Sequence, residues 1–306
     1  MDVRQSRPAR LAAALLLAAA ALLPATGHAK EGPDQYPNGA ENWYAGAVPP
    51  PGNYFINYAG YYAGTLRDKN GDKVNAGGDV KVSAVFDAMR FVQVTNTKLL
   101  GADWAWHVIV PVVSQRLDIA PLGGKGSRTG LGDITIDPII LAWHTPTWHY
   151  AAGLDINLPT GAYDKNDPRR SIGANYTSVE PIVAATYLAD GWEVSGKLMA
   201  NFKTRNTDTD YRSGTDIHMD YLVGRHVGPW AFGVSGYALK QVTDDKQGGV
   251  KVGTDGNRGQ VFAIGPSLKY STPGGITMVA QWQHELAVRN RFQGDKLWFK
   301  LIVPLP

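Results

Sequence analysis

His144 and His149 are the residues whose type and spacing come nearest to a metal-binding pair. They flank the short segment 145–147, where a tight turn would bring the two rings together. Imidazole is a common ligand of transition metals. Each histidine, however, stands beside a tryptophan, Trp143 or Trp148, as side chains of a membrane–water interface do. The interfacial interpretation is favoured, and no metal ligands are assigned.

Oxygen ligands at the spacing of a calcium loop occur at Asp68, Asn70 and Asp72, with Asp79 further along. The glycine that should follow the third ligand and the final bidentate glutamate are both missing, which favours a solvated hairpin tip. The sequence also contains no G-x-S-x-G, H-E-x-x-H or Walker-type pattern. We therefore predict no catalytic residues, no metal and no cofactor.

Composition narrows the class of protein further. The chain of 306 residues has no cysteine, which excludes disulfides and thiolate metal sites. Its formal net charge of +3 gives no indication of a nucleic-acid partner.

Residues 1–29 have the features of a secretory signal peptide. Three arginines precede the apolar run 11–23, which is too short to span a bilayer, and Gly27 and Ala29 suit a cleavage site. Beyond it, no apolar run reaches the roughly eighteen residues that a membrane helix requires. Residues 30–51, rich in proline and glycine, are predicted to form an extended lead-in segment. We expect export with cleavage of the signal peptide.

The remainder, residues 52–306, divides into about twelve segments whose polarity alternates from one residue to the next. Segment 192–203 shows the pattern, with Trp, Val, Gly, Leu, Ala and Phe alternating with Glu, Ser, Lys, Met, Asn and Lys. The connectors are alternately short and long. Short ones include 145–147, 190–191 and 228–229, and long ones include 123–132 and 160–175.

This asymmetry predicts an all-β fold, a transmembrane antiparallel up-and-down β-barrel of about twelve strands in the outer membrane of a Gram-negative bacterium. Segments 104–113 and 134–143 are apolar on both faces, which would also suit the core of a soluble sandwich. A sandwich does not explain the alternation of short and long connectors, so the barrel is preferred.

Period-two assignment directs a set of polar side chains into the barrel lumen. The predicted lumen-lining residues are Asn57, Asp137, Asp155, Asn157, Glu180, Glu193, Lys197, Asn201, Asp220, Lys269, Gln281, Glu285 and Lys300. Charges of both signs on one inner wall indicate paired networks, because an unpaired buried charge is costly. Such residues either stabilise and plug the barrel or line a substrate path, and stabilisation is the simpler interpretation.

Prolines within the segments suggest interruptions of the wall, because proline removes a ladder hydrogen bond. Pro111 and Pro138 are predicted at similar heights on the third and fourth segments. We hypothesise a lateral opening there, lined by Ile109, Pro111, Pro138 and Ile139. The alternative is that these prolines only bend the wall to the curvature of the barrel. Pro181 and Pro266 mark two further such places.

Several motifs together resemble the meta-pathway phenol-degradation family of outer-membrane proteins, and within it the sphingosine-induced outer-membrane proteins. The segment 41–58, ENWYAGAVPPPGNYFINY, is the longest of them. The others are residues 130–133, 158–167, 209–214, 243–247, 258–270 and 288–291. The resemblance implies an outer-membrane barrel that admits hydrophobic or aromatic compounds, and it implies no catalytic residues.

We therefore expect a channel or carrier for passive uptake of hydrophobic or aromatic small molecules. Its expected partners are such a molecule, outer-membrane lipid and the barrel-assembly machinery. A structural or lipid-binding barrel is the first alternative. A barrel enzyme acting on lipid is the second, and it would need a serine and a histidine within hydrogen-bond reach on adjacent strands.

Overall fold

The computed structural model describes residues 33–75 and 77–306. The predicted signal peptide, residues 1–29, lies outside these described residues. Within them, no helix has the length and apolar character needed to cross a membrane. The helical elements described are two short 3₁₀ turns, Ala120–Leu122 and Pro168–Arg170.

Strands dominate the described residues and are numbered along the chain. They are β1 (Gly52–Leu66), β2 (Lys81–Leu99), β3 (Ala102–Ile119), β4 (Gly124–Leu131), β5 (Thr135–His144), β6 (Trp148–Asn157), β7 (Ser178–Ala189), β8 (Trp192–Lys203), β9 (Tyr211–Arg212), β10 (Asp216–Val227), β11 (Trp230–Gln241), β12 (Lys246–Gln247), β13 (Val250–Lys251), β14 (Gln260–Ser271), β15 (Thr277–Arg289) and β16 (Phe292–Leu305). Four of them, β4, β9, β12 and β13, are short connector strands. The other twelve form the wall.

The wall closes on itself as an antiparallel barrel. Each wall strand pairs with its neighbour along the chain, and β1 also pairs with β16, from Asn53 opposite Leu305 to Leu66 opposite Phe292. Closure leaves no open sheet edge, which is the condition for a sheet to exist inside a bilayer. The predicted barrel of about twelve strands is confirmed.

Short turns gather at one end of the barrel, where β1 begins and β16 ends. The turns at Leu100-Gly101 and Asp190-Gly191 have positive φ at both residues, as two-residue hairpins require. The opposite end carries the long connectors, including a small sheet of β9, β12 and β13. One connector departs from the expected alternation, because only residues 290–291 separate β15 from β16.

The two faces of the wall differ in chemistry. On β8, Glu193, Ser195 and Lys197 are buried, whereas Val194 and Leu198 are exposed on the other face. Exposed apolar side chains recur around the outer surface of the other wall strands. The wall therefore presents apolar groups to lipid and polar groups to its interior.

Candidate functional site: the plugged lumen and the interrupted wall

Residues 33–51 are here called the plug, and most of them lie inside the barrel. The Trp43 indole Nε1 donates to Ser267 Oγ of β14 at 2.7 Å, and the backbone N–H of Gly46 donates to Thr186 Oγ1 of β7 at 2.9 Å. Trp43 is 2% exposed. Because these partners belong to strands far apart around the wall, the segment must occupy the space that the wall encloses.

A single wall carboxylate anchors the first half of the plug. Asp220 on β10 accepts hydrogen bonds from the Tyr36 hydroxyl at 2.7 Å and from the backbone N–H groups of Gly39 at 2.8 Å and Glu41 at 3.1 Å. Charge-assisted hydrogen bonds of this kind are stronger than neutral ones. Asp220, predicted to face the lumen, therefore holds the plug in one conformation.

Glu41 ties the plug to the opposite side of the wall. Its carboxylate lies 2.6 Å from Arg90 Nη1 of β2 and 3.2 Å from Lys300 Nζ of β16, and it accepts a hydrogen bond from the Tyr58 hydroxyl. Burial alone would raise the pKa of Glu41, but the positive charges of Lys300 and Arg90 hold it well below its usual range. Glu41 is therefore an anion bound between two wall cations.

The Arg90 guanidinium continues the network into β3 and β6. Its Nη2 lies 2.8 Å from His107 Nδ1, and His107 Nε2 lies 3.1 Å from Asp155 Oδ1. A guanidinium only donates hydrogen bonds, so Nδ1 must be the acceptor and Nε2 carries the proton. A continuous relay of Glu41, Arg90, His107 and Asp155 thus joins the plug to the wall at β6.

Asp137 lies beside this relay. Potential ligand atoms of His107, Asp137 and Asp155 all lie within 4.8 Å of one another, and all three residues are buried. A metal bound at His107 Nε2 would move the ring proton to Nδ1, which faces the donors of Arg90. The Arg90 charge would also repel a cation. These three residues therefore suit an ion-pair network better than a metal site.

The hydrogen-bond ladder of the wall is interrupted at the same height. Between β5 and β6, Ile136 pairs with Ile156, but pairing resumes only at Leu141 with Ala152, one residue out of register. On the β3 side, Ala105 pairs with Ile140 and His107 with Asp137. Two residues of β5, Pro138 and Ile139, therefore oppose Trp106 alone, which defines a β-bulge.

One carboxylate spans the interruption. Asp137 Oδ1 accepts from the backbone N–H of Ile139 at 2.9 Å, and Oδ2 accepts from that of Leu154 on β6 at 3.0 Å. The Trp104 indole Nε1 donates to the Pro138 carbonyl at 3.1 Å. Side chains thus replace backbone partners, because an unpaired backbone group is costly inside a membrane. We call residues 136–141 and the facing residues 152–156 the wall gap.

A depression of about 310 Å³ lies in the wall at this place. It is lined by Trp104, Trp106, His107, Val108, Ile136, Asp137 and Pro138. Most of this lining is aromatic or aliphatic, whereas His107 and Asp137 belong to the largely buried group of polar residues that also includes Arg90 and Asp155. We call these four residues the buried polar cluster. The wall gap is therefore where an apolar recess directly adjoins the polar interior.

Twelve of the thirteen predicted lumen residues are buried. They are Asp137, Asp155, Asn157, Glu180, Glu193, Lys197, Asn201, Asp220, Lys269, Gln281, Glu285 and Lys300. Many hold the plug or one another: Gln281 bonds Asn42 of the plug, and Lys269 lies 3.6 Å from Glu193. That any of them lines a substrate path stays a prediction.

Asn57 is the exception, and the prediction for it is wrong. Its neighbour Tyr58 reaches Glu41 inside the barrel, so Asn57 points to the outer face, where its side chain donates to Asp87 at 2.7 Å. Tyr61 and Met89 are exposed on that same face. β1 carries aromatic residues at both parities, and for this reason its inner face is not evident from sequence.

The proposed lining of the lateral opening also needs correction. Pro111 pairs with Ala88 of β2, and its carbonyl accepts from Gly132 N–H at 2.9 Å. Ile109 pairs regularly with Thr135. Trp106, which faces the bulge, lies five residues before Pro111, or about 16 Å along the strand. Pro138 and Ile139 lie at the wall gap, whereas Ile109 and Pro111 do not.

Glu41, Arg90 and His107 were not predicted as site residues. The signal available in the sequence was an arginine and a histidine within largely apolar segments, which indicates buried polar partners. Asp137 was predicted to face the lumen, but its role across the ladder depends on a bulge that periodicity does not reveal.

Residues 63–301 match the family described as "Putative MetA-pathway of phenol degradation". The chain belongs to this family. The match begins at residue 63, within β1, so the plug and the resembling segment 41–58 both lie before it. Family and fold together identify an outer-membrane protein. A search of curated proteins finds no match.

Comparison with solved structures finds several that resemble this chain. The COG4313 outer membrane channel from Pseudomonas putida F1 is 16% identical, with a TM-score of 0.73 over 85% of this chain and 97% of that one. The beta domain of the Bordetella autotransporter BrkA is 11% identical, with a TM-score of 0.47 over 82% and 99%. The CymD monoaromatic hydrocarbon channel is 8% identical, with a TM-score of 0.44 over 83% and 89%. The first of these establishes the shared fold.

Proposed function

We propose that this family member is a passive channel that admits hydrophobic or aromatic small molecules and releases them sideways, through the wall gap, into the membrane. The wall gap carries the proposal, because there a register shift on both sides of β5 coincides with an apolar recess that also reaches His107 and Asp137. The name of the P. putida relative, an outer membrane channel, agrees with this role.

The free energy of transfer favours a lateral exit. Moving apolar surface out of water is worth about 25 cal/mol per Å². An aromatic group the size of a phenylalanine side chain, with roughly 200 Å² of surface, gains about 5 kcal/mol by staying out of water. A path through the short-turn end would give up this energy, since it leads to aqueous periplasm.

The plug blocks the direct path along the barrel axis, and it is linked to the wall gap through the Glu41 network. Glu41 neutralises Arg90, which holds His107 against Asp155 next to Asp137. A solute that displaces Glu41 would free Arg90 to pair with the carboxylates of Asp155 and Asp137. Asp137 would then leave the amides of Ile139 and Leu154, and the wall gap would widen. The proposed activity is passive transport, with no chemical change to the solute.

Flux into liposomes tests this function. Purified protein should increase the entry of hydrophobic solutes from a panel of phenols, alkylbenzenes and long-chain bases, and should not do so for sugars. Glu41→Gln should raise the flux because it releases Arg90. Asp34→Asn is the matched control, since it breaks an ion pair between the plug and Arg291 away from the wall gap. Equal flux with and without protein for every member of the panel would contradict the proposal.

Two further expectations concern biogenesis. We propose that residues 1–29 are removed on export and that the barrel-assembly machinery inserts the remainder. Amino-terminal sequencing of protein from isolated outer membranes should begin at Lys30. Depletion of the assembly machinery should leave the barrel unfolded and sensitive to protease.

A further inference from the structure

The last cross-strand pair of the β5–β6 hairpin is His144 opposite His149. Their two Nδ1 atoms lie 2.9 Å apart. The hairpin is closed tightly, because Thr145 N–H donates to the Trp148 carbonyl at 2.8 Å and Trp148 N–H donates to Thr145 Oγ1 at 2.9 Å. The backbone pairing and the bonded turn therefore hold the two histidines side by side.

The membrane-interface interpretation does not account for this pair. Trp148 and Tyr150 are exposed on the outer face of the hairpin. Side chains alternate along a strand, so His149 projects to the opposite, inner face, together with its partner His144. The histidines are thus separated from the aromatic belt and meet at the inner rim of the short-turn end.

The spacing of the two nitrogens suits a shared cation. Imidazole nitrogens bind zinc at about 2.0–2.1 Å, so two ligands at angles of about 90–110° are separated by about 2.9–3.4 Å. The observed Nδ1–Nδ1 distance of 2.9 Å lies in this interval. The alternative is one hydrogen bond between neutral rings, worth only about 1 kcal/mol at a partly exposed site.

A third strand supplies a group behind one ligand. Asp103 Oδ2 on β3 lies 3.9 Å from His144 Nε2, the nitrogen that faces away from His149; this is an electrostatic contact, and a small rotation of either side chain would convert it into a hydrogen bond. Metal-binding histidines usually donate their other N–H to a carboxylate, which fixes the tautomer and strengthens the ligand. Lys98 forms an ion pair with Asp103 and holds it in place. β3, β5 and β6 therefore each contribute one member of a carboxylate–histidine–histidine arrangement.

We propose that His144 Nδ1 and His149 Nδ1 bind one divalent transition-metal ion of the zinc, nickel and copper class, with Asp103 orienting His144. Imidazole ligands select these ions over calcium and magnesium, which prefer oxygen. Copper should bind most tightly, following the general order of stability of such complexes. Water or a group from a partner would complete the coordination. This site does not depend on the transport function.

The test uses the mature barrel in detergent, purified without a polyhistidine tag. Titration with zinc followed by calorimetry, and with copper followed by electron paramagnetic resonance, should show one ion per barrel with two nitrogen ligands. His144→Gln and His149→Gln should each abolish this binding. Asp103→Asn should weaken it by about 10–100-fold, as loss of an outer-shell carboxylate does.

His284→Gln is the matched control. His284 is also half-exposed, but its Nδ1 lies 2.9 Å from the Asp295 carboxylate and not from a second imidazole. Binding should be unchanged in this variant. Heat-modifiable mobility on gels confirms that each variant is folded. Absence of saturable binding in the unsubstituted barrel, or equal binding in His149→Gln, would overturn the proposal.

Discussion

Prolines interrupt the wall at three places, and the wall responds differently at one of them. At Pro181 of β7, pairing with β8 passes from Val179–Phe202 to Ile182–Met199 without a change of register. Burial also alternates without a break along that strand. At Pro138 of β5, the register shifts on both sides. Pro266 of β14 behaves like Pro181, because its ladder resumes in the same register.

Proline by itself therefore does not open a barrel wall. What distinguishes Pro138 is the extra residue beside it, which forms the bulge, and the carboxylate of Asp137, which occupies the space left in the ladder. A missing donor is tolerated where the register is kept, whereas at the register shift four residues of β5, 137–140, face only three of β6, 153–155. The wall gap is thus a property of the bulge and of its side-chain substitute.

The largest expected effect comes from a disulfide placed across the wall gap, compared with a disulfide placed across the regular β7–β8 ladder near Pro181. Continuing the register from Leu141–Ala152 sets Ile139 opposite Leu154. Oxidised Ile139→Cys with Leu154→Cys should abolish hydrophobic flux in liposomes, and reduction should restore it. The chain has no cysteine, so no other disulfide competes. The same pair of substitutions at Val183 and Leu198, directly paired in β7–β8, should leave flux unchanged.

Removing the substitute should weaken the wall. Asp137→Ala leaves the amides of Ile139 and Leu154 without an acceptor, at a cost of about 1–3 kcal/mol for each. We expect a lower free energy of unfolding by urea in lipid vesicles, together with increased flux. Asp137→Asn keeps one acceptor oxygen, so its unfolding free energy and its flux should lie between those of Asp137→Ala and those of the unsubstituted protein. An unfolding free energy equal to that of the unsubstituted protein would show that other groups satisfy these amides.

A smaller displacement of the same carboxylate can be obtained from β6. A Cβ added at Gly153 would lie 2.5 Å from Asp137 Oδ2, too close for the carboxylate to stay in place. Gly153→Ala should therefore raise flux moderately and lower the unfolding temperature. Gly196→Ala on β8 is the control, because there the nearest atom is the end of Met219, at 3.4 Å. Equal flux in the two variants would show that a side chain at position 153 does not affect the wall gap.

The barrel itself was predictable from sequence because its signals are local. Alternation within segment 192–203 and short turns such as 190–191 each depend on a few consecutive residues. The inner face of β1 was not predictable, because β1 carries aromatic residues at both odd and even positions, and aromatic residues occur on either face of a barrel wall. The height of Pro111 relative to Pro138 depends on inter-strand register, and an error there persists along the whole strand.

The site was less predictable than the wall. Asp137 was predicted to face the lumen and is buried, but its bonds to Ile139 and Leu154 exist only because β5 bulges. The relay through Glu41 and Arg90 joins residues 49 positions apart on a coil segment and a strand. No periodicity within one segment reports such a contact, because it depends on the path of the plug through the closed barrel.

The smallest expected effect concerns pH and tests whether the plug is held by a charge. Lys300 and Arg90 hold the pKa of docked Glu41 well below its usual range, although burial opposes this. A carboxylate with a depressed pKa stabilises the docked plug at every pH above its free value of about 4.3, and this contribution is lost only as pH falls through the docked value. Conductance across planar bilayers should therefore stay unchanged between about pH 7 and about pH 4. Glu41→Gln should conduct more than the unsubstituted protein at both. If conductance instead rose as the pH was lowered, with a midpoint near the free value, Glu41 would be titrating as an exposed group. The proposal that a charged Glu41 couples the plug to the wall gap would then be contradicted.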